Sequence, residues 1–214
     1  MELSDVMRTA AATREFRTDP VPEGIIYRVL DNARFAPSGG NRQGWRVIVV
    51  REPAMRKAVG DLYSRSWRQN FQPLFAHLPD NGSRPADTYA EHLPELPVQL
   101  VVLVDRSALV TTVPSIDNSA VVPGASIYPF VQNIVLALRA EGLGTVLTAG
   151  LTPVEAEAKQ LLGVPDGFSI VAHLGVGWPA RPFPARLKRK PVEDFATVDH
   201  FDGPILSKEA PVYA

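Results

Sequence analysis

The 214-residue sequence predicts an α+β fold. Strand-length apolar runs and stretches of helical period are mixed without the strict strand–helix alternation of a doubly wound sheet. Hydrophobic residues make up 45% and charged residues 21%, the balance of a folded globular chain. No internal repeat or low-complexity block divides the sequence, so one domain over 1–214 is expected.

The elements follow in order. Leu3, Val6, Met7 and Ala10 share one face of a short helix over 3–12. Next, "TDPVPEGIIYRVLDNARFAP" reads as a helix with Pro22 in its first turn, where a missing N–H costs nothing. Its stripe is Ile25, Ile26, Val29, Leu30, Ala33 and Ala36, and Pro37 ends it. "WRVIVVR" (45–51) is a strand, and Pro53 opens a helix towards Trp67. Over 70–97, Pro73, Pro79, Pro85, Pro94 and Pro97 predict a long irregular excursion. "VQLVVLVD" (98–105) is a buried strand, followed by a polar stretch over 106–123. Ile127, Phe130, Val131, Ile134, Val135 and Leu138 form the strongest helical stripe, closed by the glycine of "EGLG". "TVLTAG" (145–150) is a short third strand or a turn. Thr152-Pro153-Val154-Glu155 reads as a capping box opening a helix from 153 to about 162. "FSIVAHLGVGW" (168–178) is a fourth strand. The tail, 180–214, is Pro-rich, has little core of its own, and is expected to lie on another surface.

Composition excludes several function classes. A net charge of −1 provides no global field for nucleic acid or a membrane surface. Without cysteine there is no disulfide, thiolate metal site or catalytic thiol. The four histidines lack the i, i+4 zinc spacing, so no metal is expected. The opening stretch carries Glu2, Asp5 and Arg8 with no long apolar core, and no run approaches a membrane span of about 18 residues. A cytoplasmic protein is expected.

Four places in the sequence can carry chemistry. Ser38-Gly39-Gly40-Asn41 joins permissive backbone to a hydroxyl and an amide, either as an ordinary turn or as a floor for a flat ligand. Arg14, and "RLKRK" at 186–190, read as phosphate grips or as solvated surface cations. "GLGTVLTAG" is Gly-rich but follows a helix, and the chain has neither GxGxxG nor a P-loop.

Taken in order, "TREFRTDPVP", "ARFAPSGGNRQGWRVIVV", "VQNIVLALRAEGLGTVLT", "LLGVPDGFSIVAHLGVGWPA" and "RKPVED" resemble the nitroreductase family over about 5–200. The resemblance implies a central mixed, mainly antiparallel sheet flanked by helices, with a C-terminal arm exchanged in a homodimer. It also implies FMN as cofactor, NADPH or NADH as electron donor, and a small-molecule acceptor such as a nitroaromatic or quinone. By the same resemblance, Arg14 lies near the ribityl chain and pyrimidine edge. Pro37, Ser38, Gly39 and Asn41, with Gln43 nearby, lie under the flavin. The backbone of Leu147, Thr148 and Ala149 faces its reactive edge, and Arg189 grips the phosphate. The family's opening Arg-x-Ser reads Ala10-Ala11-Ala12 here, with Arg8 one turn back as its substitute, and Gly44 replaces a common proline before Trp45.

The implied reaction is ping-pong hydride transfer through one pocket used twice, with no obligatory side-chain acid or base. The excursions at 70–97 and 106–123 would shape the acceptor pocket. There Trp67, Phe71, Phe75 and Tyr128 either stack on a flat acceptor or pack as core. Other readings keep the fold: reductive dehalogenation, oxygen-dependent fragmentation of the flavin, or non-catalytic flavin storage. A flavin-free interaction module is the remaining one.

Overall fold

A computed structural model of the chain describes residues 1–77, 84–109 and 122–208. Its centre is a four-stranded sheet of order β1-β2-β4-β3, comprising β1 (Trp45–Val50), β2 (Val98–Asp105), β3 (Gly144–Thr148) and β4 (Phe168–Gly177). All three strand pairings are antiparallel; the parallel contact is an isolated bridge between Ala12 and Thr145. "TVLTAG" therefore contributes an edge strand.

Seven of the eight β2 residues are buried, because helices cover both sheet faces. On one face, Val98, Leu100, Val102 and Val104 meet α2 (Glu23–Ala33) and α5 (Tyr128–Ala140). Trp45 stacks flat on Phe130 there, at 4.7 Å between ring centroids. On the other face, Val101 and Leu103 meet α3 (Pro53–Ser66), α4 (Pro85–His92) and α6 (Glu155–Leu162). The period-2 alternation of side chains divides β2 between two cores.

The short helix α1 is Leu3–Thr9, ending before the predicted residue 12. Of its expected apolar stripe only Val6 is buried; Leu3 and Met7 are exposed. Two local expectations are corrected. Residues 70–97 are not uniformly irregular: α4 begins at Pro85, since proline at a first helical position loses no hydrogen bond. The predicted capping box does not form. Thr152–Val154 is a separate 3₁₀ turn without a side-chain cap, and Glu155 Oε1 instead accepts from the Ile170 N–H at 2.7 Å. The α6 helix does end at Gly163 in the left-handed conformation, φ 65°.

The first part of the tail is docked on its own chain. Arg17 N–H donates to Trp178 O (2.8 Å), Ala180 N–H to Glu15 O (3.0 Å), and Leu187 N–H to Arg8 O (2.8 Å). The first two bonds flank an isolated antiparallel Phe16–Pro179 bridge, and the third ties the tail to the last turn of α1. An Arg181–Glu15 ion pair (2.9 Å) and the Arg139 guanidinium, 4.0 Å over the Phe183 ring, secure the segment. The tail is expected from the sequence to lie on another surface, and as far as Leu187 that surface includes the N-terminal segment of its own chain. Beyond it, Phe195, Phe201 and Ile205 are exposed, and Phe201 fully so. Among the described residues, no helix is long and apolar enough to cross a membrane.

Candidate functional site

Pairing of the tail with the N-terminal segment builds a basic groove of about 1120 Å³. Arg8 from α1 lines it together with Arg186, Lys188, Arg189 and Lys190. The two sequence-predicted phosphate ligands, Arg8 and Arg189, thus share one cavity. The Leu187–Arg8 backbone hydrogen bond fixes that proximity. Neither arginine makes an ion pair among the described residues, although eight other ion pairs form there.

Arg14 lies further along the same segment and is half-buried, lining two smaller clefts. Its charge reaches Tyr63 and Tyr89 beneath the sheet. Burial raises the Tyr63 hydroxyl above its ordinary pKa, while a hydrogen bond with Thr148 and then the Arg14 charge oppose it. Burial pushes Tyr89 higher still, with the neighbouring Tyr63 adding, and the Gly175 hydrogen bond and Arg14 opposing. Both phenols are therefore neutral at ordinary pH. Tyr63 links two predicted site residues from opposite parts of the chain, Arg14 and Thr148.

Thr148 ends the edge strand β3, and its hydroxyl donates to His173 O at 3.1 Å. Leu147 and Ala149 on either side are exposed. Gly150 follows because its backbone runs against the Tyr63 ring; an added Cβ would lie 2.1 Å from Tyr63 Cε2.

The Pro37–Gln43 loop is strained. Gly40, Asn41 and Gln43 all have positive φ, at 61°, 53° and 49°. The left-handed region suits glycine and occasionally asparagine, but it is costly for glutamine. Ser38 Oγ accepts from Gln43 N–H at 3.0 Å, and Gly39 N–H donates to Ser126 Oγ at 3.0 Å. Gln43 Nε2 donates to Asn41 Oδ1 at 3.0 Å. Pro37, Asn41 and Gln43 remain exposed. None of 37–43 lines the basic groove or the two Arg14 clefts.

The predicted acceptor-stacking aromatics are divided. Trp67 and Phe71 bracket a π-helical turn and stack at 5.6 Å, and Phe75 stacks on Trp67 at 6.1 Å. Trp67 Nε1 donates to Asp87 Oδ1 at 2.6 Å, tying that turn to α4. Trp67 therefore spends its faces and its N–H within the chain. Tyr128 is half exposed at the start of α5, its ring over Gly124. Most of 106–123 lies outside the described residues, as do 78–83 within the first excursion.

Sequence reasoning missed the buried polar cluster behind Thr148. Gln99, His173 and Tyr63 are fully buried, and Ser126 and Asp87 hold the two loops above. Gln99 and His173 sit in uninterrupted strand runs, and polarity inside a buried run was the available signal.

The Nitroreductase family profile matches residues 7–178, and the chain belongs to that family. The chain is 34% identical over 180 residues to 5,6-dimethylbenzimidazole synthase of Rhodospirillum rubrum, covering 80% of this chain and 79% of that one. It is 32% identical over 178 residues to NADH dehydrogenase of Thermus thermophilus, covering 78% and 82%. Oxidized iodotyrosine deiodinase, in a structure bound to FMN and 3-iodo-L-tyrosine, shares the fold with a TM-score of 0.65 at 24% identity, covering 89% of this chain and 96% of that one. The expected α+β class and family fold both hold.

Proposed function

We propose that the chain is an FMN-dependent oxidoreductase that takes electrons from NADH or NADPH and reduces a small electron-poor acceptor, such as a nitroaromatic or quinone. The observation that carries this reading is the convergence of Arg8 and Arg189, both without ion-pair partners, in one groove. The chain's own residues fit the cofactor. A phosphate needs cations that are not already neutralised, and these two supply them. A flat ring needs close, open backbone, and the left-handed Gly40–Gln43 loop supports that reading, since such strain concentrates at ligand sites.

When bound, FMN supplies reversible hydride transfer, and the protein orients and tunes it. Arg8 and Arg189 would hold the phosphate. Ser38, Asn41 and Gln43 would meet the ring edge, and the Leu147–Ala149 backbone would border its reactive side. Arg14 would stabilise negative charge on the reduced ring, with neutral Tyr63 and Tyr89 behind it adding no competing anion.

A homodimer would bring the two halves of such a site together, because the loop does not line the basic groove of its own chain. Exposed Leu3, Met7, Tyr27 and Phe35, with Phe195, Phe201 and Ile205 on the tail, support that assembly. The similarity to 5,6-dimethylbenzimidazole synthase favours one second reading, fragmentation of the flavin with oxygen.

Visible spectra before and after anaerobic NADH and NADPH test the proposal. Flavin bands that bleach, followed by turnover of nitro compounds or quinones, are the expected result. Bleaching without such turnover, but with a benzimidazole formed in air, would support the second reading. A colourless protein that takes up no added FMN would overturn both.

A further inference from the structure

The groove holds more positive charge than one flavin phosphate uses. Besides Arg8 and Arg189 it is lined by Arg186, Lys188, Lys190 and Lys208, against one carboxylate, Glu193. None of the six cations makes an ion pair among the described residues, and the chain as a whole carries a net charge of −1. The excess is therefore local. It is also held together at a cost, since six like charges around one cavity repel. The Leu187–Arg8 hydrogen bond and the Arg139–Phe183 contact keep the tail in place against that repulsion.

The cavity's size points the same way. About 1120 Å³ is the volume of a whole small-molecule site, not of a single anion. Its walls include Met7, Leu187, Pro191, Val192 and Leu206, apolar surface against which a flat base can lie. Apolar wall and surplus cations together match an adenine nucleotide bearing an extra phosphate monoester.

We infer that Lys188 and Lys190 form a subsite for the 2′-phosphate of NADPH, making NADPH the preferred electron donor. The subsite rests on the flavin reading only in assigning Arg8 and Arg189 to the other phosphate; the donor role rests on that reading whole. A 2′-phosphate adds close to two negative charges that NADH lacks, so unpaired lysines discriminate in its favour. Lysine suits the task as a mobile point charge able to follow a ligand that enters and leaves.

The test is titration calorimetry on the whole protein with two probes, adenosine 2′,5′-bisphosphate and adenosine 5′-monophosphate. The bisphosphate is expected to bind at least about tenfold more tightly, and that margin should shrink as salt is raised. In the K188A/K190A double variant the margin should fall to about threefold or less, with flavin absorbance retained. Equal affinity of the two probes, or an unchanged margin in the variant, would overturn the inference. The wild-type comparison alone is decisive if the variant expresses poorly. Because the probes are read without turnover, a protein that binds no flavin yet prefers the bisphosphate would sink the oxidoreductase reading and the donor role with it, and leave the 2′-phosphate subsite standing.

Discussion

His173 Nε2 donates to Gln99 Oε1 across 3.2 Å, and both side chains are wholly buried between the sheet and α3. The direction follows from Gln99, whose amide nitrogen donates to Arg56 O and Leu93 O at 3.0 Å each, leaving its oxygen to accept. The proton is therefore on Nε2, and Nδ1 is a buried acceptor without a partner among the described residues.

Burial holds the imidazole neutral, its pKa lowered from 6.5 to about 3. The unfolded chain binds a proton there below pH 6.5, while the folded one refuses it until about pH 3. The contribution of His173 is thus complete above pH 6.5 and is lost progressively as pH falls towards 3. Between pH 7.5 and 5.5 the loss should be roughly 1 kcal/mol, measurable by urea denaturation. Unchanged stability over that interval would mean that His173 takes up its proton in the folded protein over the same pH range as in the unfolded chain.

Gly150 has no room for a methyl group. A Cβ there would overlap the Tyr63 ring, and Tyr63 is itself packed edge-on against Tyr89 at 6.0 Å. Gly150→Ala should destabilise by about 1–3 kcal/mol. Gly167→Ala, where a Cβ meets nothing within 4 Å, is the control and should change the melting temperature little. Equal melting temperatures for the two variants would count against the packing.

Gln43 carries its left-handed strain on an exposed loop, held by its N–H to Ser38 Oγ and its side-chain amide to Asn41 Oδ1. Gln43→Gly relieves a left-handed φ worth about 1–2 kcal/mol but adds about 0.5–1 kcal/mol of unfolded-state entropy. Stability should hold or rise slightly, while flavin affinity falls by about tenfold in a fluorescence titration. Weakened stability with unchanged flavin binding would make the loop a structural turn.

Arg189 and Arg8 should act together on the flavin phosphate. Arg189→Ala should weaken FMN binding by about 1.5–3 kcal/mol, the range for a hydrogen bond to a charged group. Arg8→Ala should weaken it similarly, and the double variant by less than the sum, because the two share one anion. Riboflavin, which lacks the phosphate, should bind wild type and variants alike. A loss of riboflavin affinity would place the arginines elsewhere on the ligand.

Phe201 is fully exposed at the tip of a tail segment closed by the Thr197–Ile205 bridge. In the proposed dimer it is an anchor, so Phe201→Asp should shift the protein towards monomer in sedimentation at micromolar concentration. A wild-type protein that sediments as a monomer with flavin bound would remove the dimer from the proposal.

Local chemistry alone determined most of the secondary structure. The Ile127–Leu138 stripe, the apolar run at 98–105 and the glycine stop of "EGLG" are read from residues within a few positions of one another, and they stand. The order of the motifs likewise determined the family. Tertiary structure decided what depends on distant partners. Glu155 left its expected capping position because the Ile170 N–H of β4 was within reach. Trp67 turned inward because Asp87 and two phenylalanines met it. Arg8 became a groove residue only because the tail folds back and Leu187 N–H bonds its carbonyl. A side chain's partner is fixed by where the folded backbone brings it, and no spacing within one element carries that information.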